Sequence, residues 1–113
     1  MAELETVRDI GWKLTAYCNC DRCNDIPKTK TESGHIISEN DHQFICAAPK
    51  DIPFGTEITI TGGWNGKVRV EERADGVIGK RLDIFQKDHA SVIAFGVKND
   101  CNIEYQIKMA KLS

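Results

Sequence analysis

The chain has no apolar run approaching the roughly 18 residues of a membrane-crossing helix, so no transmembrane helix is expected. It also lacks an excess of positive charge. Its 15 Lys and Arg are scattered among 17 Asp and Glu, for a net charge of −2. Without a basic face, nucleic acid is not an expected partner. The opening residues, MAELETVRDIGWKL, have neither the basic segment nor the apolar block of a secretory signal. The expectation is a chain that stays cytoplasmic, is released by lysis, is carried outward by a larger assembly, or is excised from a longer precursor. No glycine-rich phosphate loop, no Ser-His-Asp or Cys-His constellation, no internal repeat and no low-complexity tract occurs.

What remains is an ordinary globular composition, 41% hydrophobic and 28% charged over 113 residues. That length closes a single core but not two, so residues 1–113 are expected to form one domain. Alternation marks most of the elements. Residues 10–17 read as a first strand with Trp12, Leu14 and Ala16 on one parity. Residues 18–43 read as a long irregular loop, a length that is often functional. Residues 44–48 form a short strand, and Pro49 and Pro53 forbid regular pairing after it. Residues 56–62 alternate, with Ile58 and Ile60 on one face. Asn65-Gly66 then predicts a hairpin turn in positive-φ conformation, and 67–73 the return strand with Val68 and Val70 inward. Residues 80–85 give another strand. Asp88 is a good N-cap for a short helix whose apolar set is Ala90, Ile93, Ala94 and Val97, with Gly96 as its stop. Residues 102–112 close the chain as a strand with Ile103, Tyr105, Ile107 and Met109 on one parity. About six strands and one short helix predict a mainly β fold, a small closed barrel, because closure removes exposed edges.

Within the 80–85 strand, Asp83 stands between Leu82 and Ile84. If those two face the core, alternation turns Asp83 outward beside Arg81 and Phe85. One reading is a solvated surface carboxylate. The other is a proton donor, which needs a pKa lifted by partial desolvation or by a like charge. Glu72 or Asp75 is a candidate for that second charge, whereas Arg73 or Arg81 would act in the opposite sense. Three cysteines crowd into CNCDRC as Cys18, Cys20 and Cys23, and Cys46 and Cys101 lie far off. The C-x-C-x-x-C spacing suits zinc, with Cys46, Cys101, His35 or His42 as a fourth ligand. Disulfides and reduced thiols are the rival readings. His89 is read as a solvated residue of the first helical turn.

Four stretches in order resemble a known family: LTAYCNCDRC, TKTESG, APKDIPFGTEITI, and GKRLDIF followed by HASVIAFG. They are similar to the 3D domain, named for three aspartates, a double-psi β-barrel related to membrane-bound lytic transglycosylase A and the stationary-phase survival proteins. The resemblance runs from about Leu14 to Ile107 and implies a six-stranded double-psi barrel. The third family aspartate falls on Asp83, the second on Glu72, and the first on Ala48, while the family's Gly-Gly step falls on Ala74-Asp75.

The implied activity is non-hydrolytic cleavage of peptidoglycan glycan, with Asp83 and Glu72 as catalytic candidates. Thr15, Tyr17, Thr31, Ser33, Gly34, Asp75 and Arg81 would border the sugar groove. Such a reaction needs no cofactor, so a zinc ion would be an addition to it. The cysteine loop implies a Gram-positive or phage setting, with other phage or tail proteins as further partners. The alternative on the same barrel is a wall-binding or structural tail module without catalysis.

Overall fold

The computed structural model describes residues 4–20, 29–74 and 76–108. Among these residues six strands and one α-helix are formed, with a 3-10 turn at Glu39–Asp41: β1 (Leu4–Cys18), β2 (Ile45–Ala47), β3 (Glu57–Gly62), β4 (Gly66–Glu72), β5 (Arg81–Gln86), α1 (His89–Phe95) and β6 (Lys98–Lys108). The strands close into a barrel in the order β1-β5-β2-β4-β3-β6. Two pairs within it are parallel, β1 with β5 and β2 with β4. The expected mainly β, six-stranded barrel with a single short helix is therefore what forms.

Alternation fills the barrel. Leu14, Cys46, Ile58, Ile60, Val68, Val70, Leu82 and Ile84 are all buried and pack in one cluster with Trp12 and Ile103. Each such aliphatic side chain contributes about 1.5–3 kcal/mol on burial, which fixes the register of every strand that carries one. β1 is longer than the sequence suggests. Leu4–Asp9 pair with β6 alone, and the pairing then slips between Asp9 and Trp12, around Gly11 at φ 75°. Beyond that slip, Lys13–Cys18 pair with Arg81–Gln86 along β5.

Two local expectations are corrected. The β3–β4 connection is not a tight turn at Asn65-Gly66, because β3 runs on past it. Thr61 and Gly62 pair with Asn102 and Cys101 of β6, while Ile60 pairs with Gly66. The left-handed residue is Gly62 at φ 91°, and neither Asn65 nor Gly66 has positive φ. Gly63 and Gly66 are needed for space instead. A Cβ on Gly63 would lie 2.1 Å from the Asn99 carbonyl oxygen, and one on Gly66 2.4 Å from the Trp64 ring.

The helix is capped by Asp88, whose carboxylate accepts from Ser91 N, and it ends at Gly96, φ 64°. Its orientation is the reverse of that expected. Ile93 is 70% exposed and Val97 53%, with Ala90 and Ala94 also outward, while Phe95 is buried. In a helix of seven residues a single aromatic anchor decides the face. Here Phe95 packs edge-on against Trp64, ring centroids 5.6 Å apart.

Gly63→Ala tests the close approach of the β3–β4 connection to β6. The backbone oxygen of Asn99 cannot move aside as a flexible side chain would. The substitution is expected to cost about 1–3 kcal/mol, read as a lower urea midpoint with an unchanged slope. An unchanged midpoint would show that the two segments are not in contact.

Candidate functional site

Strand register assembles the site. Thr15 of β1 stands opposite Asp83 of β5, Asp83 opposite Ala47 of β2, and Ala47 opposite Glu72 of β4. These four residues form one row across four strands. Since Leu82 and Ile84 point inward, Asp83 points to the outer face, where its side chain is half-buried. The Thr15 hydroxyl donates to Asp83 Oδ1 at 3.0 Å. It in turn accepts from Arg81 Nε at 3.2 Å and Nη2 at 3.1 Å. The third guanidinium nitrogen, Nη1, donates to the Gly76 carbonyl at 3.2 Å. Positive charge therefore reaches Asp83 through a hydroxyl relay.

The electrostatics follow from this geometry. Burial pushes the Asp83 carboxyl above its ordinary 3.8, and the Thr15 hydrogen bond and the Arg81 charge oppose that rise without cancelling it. Desolvation, rather than a second carboxylate, does the lifting. Glu72 stands two strand spacings away, about 9–10 Å along the row. It is itself buried, with Oε1 accepting from Glu32 N at 3.0 Å and Arg73 N at 3.3 Å. Glu72 thus anchors the segment that crosses it. Tyr17, the next outward residue of β1, packs edge-on against Phe85 at 5.6 Å. Burial first, then the charges of neighbouring acids, Glu72 foremost, drive its phenol far above the ordinary range, so it stays a proton donor.

Thr31, Ser33 and Gly34 are brought together, but to build a turn. Ser33 Oγ donates to Glu71 Oε1 at 3.2 Å, so in its 2.8 Å contact with Thr31 Oγ1 the threonine is the donor. Thr31 Oγ1 also accepts from His35 N at 3.1 Å, and Gly34, φ 93°, closes the turn to Thr31 O. Beneath it lies a cluster that the sequence reading missed. His35 Nε2 meets both Asp41 oxygens at 3.0 Å, and Arg69 Nε meets Glu71 Oε2 at 3.2 Å. The only sequence signal for it was the Ser38–Asp41 spacing of a capping box, which is formed. Asp75 lies outside the described residues.

A cavity of about 920 Å3 opens between the turn at Ala48–Asp51 and the segment that follows Arg73. Gly76, which accepts from Arg81, lies in its wall, so the Asp83 relay is tied to that wall. Arg73 holds the opposite side. Its guanidinium donates to Ile52 O at 2.6 Å and sits 4.2 Å from the centre of the Phe54 ring. Ala48, on which the resemblance to the 3D domain places the first aspartate, borders this cavity, but its methyl belongs to the core.

The cysteines separate into different places. Cys18 and Cys20 lie together with His89, the histidine read from sequence as solvated. Cys46 is inside the barrel, where burial pushes its thiol well up. Cys101 is buried on β6, in register with Trp12 of β1 on one side and Gly62 of β3 on the other. His35 is engaged by Asp41, and His42 Nδ1 accepts from Lys87 N at 3.0 Å. None of these four expected fourth ligands joins the Cys18–Cys20 group. Cys23 lies outside the described residues.

No family model matches the chain, and no curated protein matches it. Five chains of solved structures match it, among them two distinct proteins. One is MltA from E. coli, with a TM-score of 0.52 and 16% identity over 71% of this chain. The chain spans 28% of MltA's length. The other is the Streptomyces papain inhibitor, with a TM-score of 0.59 and 18% identity, covering 89% of this chain and 94% of that one. Both are double-psi barrels, the architecture implied by the sequence resemblance. At these identities the likeness shows the fold alone.

The raised Asp83 pKa has a signed consequence. Between the unfolded value and the higher folded value, the native state holds more protons than the unfolded chain. Stability from this group is complete below the unfolded pKa and is lost as pH rises through the folded one. Asp83→Asn is expected to remove that decline, so the variant's stability curve is flatter on the alkaline side of 3.8. Parallel curves for the two proteins, measured by urea unfolding across this range, would contradict the assignment.

Proposed function

We propose that this barrel cleaves the glycan strands of peptidoglycan in the manner of a lytic transglycosylase, with Asp83 as the sole proton-transfer group. The observation that carries the reading is the half-buried Asp83 carboxyl, raised by desolvation and held by Thr15 on a fixed strand pair. The double-psi barrel shared with MltA supports it, as does the resemblance of the RLDIF strand to the third-aspartate strand of the 3D family.

The chemistry suits a single acid. Protonated Asp83 gives its proton to the glycosidic oxygen as the bond from that oxygen to the anomeric carbon breaks. The muramoyl 6-hydroxyl then attacks the anomeric carbon and returns its proton to the Asp83 carboxylate. The product is a 1,6-anhydro sugar, and the acid is regenerated. Because the nucleophile belongs to the substrate, the second carboxylate of ordinary glycosidases is dispensable. This accommodates Ala48 in the first family position and a Glu72 occupied with backbone amides. The Thr15 hydroxyl, itself polarised by Arg81, stabilises the carboxylate at the moment it forms. In this reading the chain acts at the wall of a Gram-positive cell, delivered by lysis or by a phage assembly.

A second reading has its own support. Ala48 is buried where the family has a carboxylate, and the Streptomyces papain inhibitor carries the same barrel. On that reading the cleft grips a wall polymer, or serves as a structural tail module, without cutting.

Incubation with Gram-positive sacculi and mass spectrometry of the soluble fraction separates the readings. The expected result is anhydro-muropeptides, whose release falls by about 10²–10⁴-fold in Asp83→Asn. Co-sedimentation with sacculi and no soluble product would replace the enzyme by the binder. Neither association nor product would leave only the structural role.

A further inference from the structure

We infer that Cys18, Cys20 and His89 form a site for one thiophilic divalent cation of the zinc class, which clamps the end of β1 to the first turn of α1. The inference is independent of glycan cleavage. Its basis is geometric. The ligand atoms of the three residues all lie within 4.8 Å of one another. His89 Nδ1 is 4.0 Å from Cys18 Sγ and 3.9 Å from Cys20 Sγ. With Zn–S near 2.3 Å and Zn–N near 2.0–2.1 Å, a tetrahedral zinc sets its sulfur–nitrogen edges at about 3.5 Å. The two observed edges are within about half an ångström of that. The sulfur–sulfur edge is 2.7 Å and has to open by roughly 1 Å for a tetrahedral ion.

Two of the three donors are placed by the barrel. Cys18 ends β1 directly opposite Gln86 in the parallel β1–β5 pair. From Gln86 the chain needs only Lys87 and the N-cap Asp88 to reach His89, the first residue of α1. Parallel register and a short connection thus bring residues 71 positions apart to one point. Cys20 follows by passing one residue beyond the strand end. The site is therefore formed by elements that the core already fixes, and Cys18 itself is fully buried.

The donor chemistry selects the ion. Two thiolates and a neutral imidazole are soft to borderline ligands, which favour zinc over magnesium or calcium. The two thiolate charges balance the dication. The three described donors fill three of the four positions of a tetrahedral ion. Bound metal would hold the exit of β1, the strand whose outward face carries Thr15 and Tyr17.

Reduced, metal-stripped full chain is titrated with Co2+ and then with Zn2+. One cobalt per chain is expected, with the visible absorption of a four-coordinate ion, a thiolate charge-transfer band, and loss of both on adding one equivalent of Zn2+. Cys20→Ser, past the end of β1 where folding is least at stake, and His89→Gln should each weaken cobalt binding at least tenfold. Cys101→Ser should leave it unchanged. Circular dichroism of each variant verifies the fold. Absence of the cobalt bands overturns the site, as does undiminished binding in folded Cys20→Ser or His89→Gln. So does a Cys18–Cys20 disulfide, seen by mass spectrometry as alkylation that requires prior reduction.

Discussion

The parallel pairing of β1 with β5 is the constraint on which the rest of this molecule depends. It is set by apolar burial, since Leu14, Leu82 and Ile84 must all face inward. A one-residue slip would turn those three outward and Asp83 into the core. With the register fixed, Thr15 is delivered beside Asp83, Tyr17 beside Phe85, and Cys18 beside Gln86. The acid, its hydroxyl partner and the mouth of the cysteine cluster are thus successive consequences of one strand pair. An acid on a flexible loop would rehydrate and return to an ordinary pKa. Fixed on a strand and half-covered, Asp83 retains the effect of its desolvation.

Opposing influences leave Asp83 poised. Burial raises it, while Thr15 and Arg81 lower it, with burial the larger effect. A guanidinium paired directly with the carboxylate would favour the ionised form more strongly and oppose the rise produced by burial. Interposing Thr15 moderates that pull and spends the guanidinium on Gly76 and the threonine instead. The remaining carboxylates have other work. Glu71 and Glu72 receive the 29–35 segment, and Asp41 receives His35, so that a loop rich in polar groups is satisfied against the barrel. At the edge of the cleft Ala48 turns its methyl into the core and offers no carboxylate.

Much of this was legible from alternation. The inward sets at Ile58 and Ile60, Val68 and Val70, and Leu82 and Ile84 stand out because period two is unambiguous where large aliphatics flank polar residues. The same pattern placed Asp83 outward. Features decided by long-range contact were not legible. The helix face was misread because spacing favoured Ala90, Ile93, Ala94 and Val97, while the fold is served by Phe95 meeting Trp64. Asn65-Gly66 carries the signature of a tight turn, yet pairing of Thr61 and Gly62 with β6 widens the connection. His89 became a partner of Cys18 only through the β1–β5 register, which no local motif encodes. Glu72 occupies the expected strand position, but its partner Glu32 N comes from a segment 40 residues earlier in the chain.

The central claim is that a single desolvated carboxyl on β5 is held ready to give up a proton. Carboxyl 13C chemical shifts of Asp83, followed through a pH titration of the native protein, measure this most directly. The account predicts a midpoint above 3.8 that moves higher still when Thr15→Val removes the hydroxyl opposing the rise. A midpoint at or below 3.8, or one indifferent to Thr15, would contradict it.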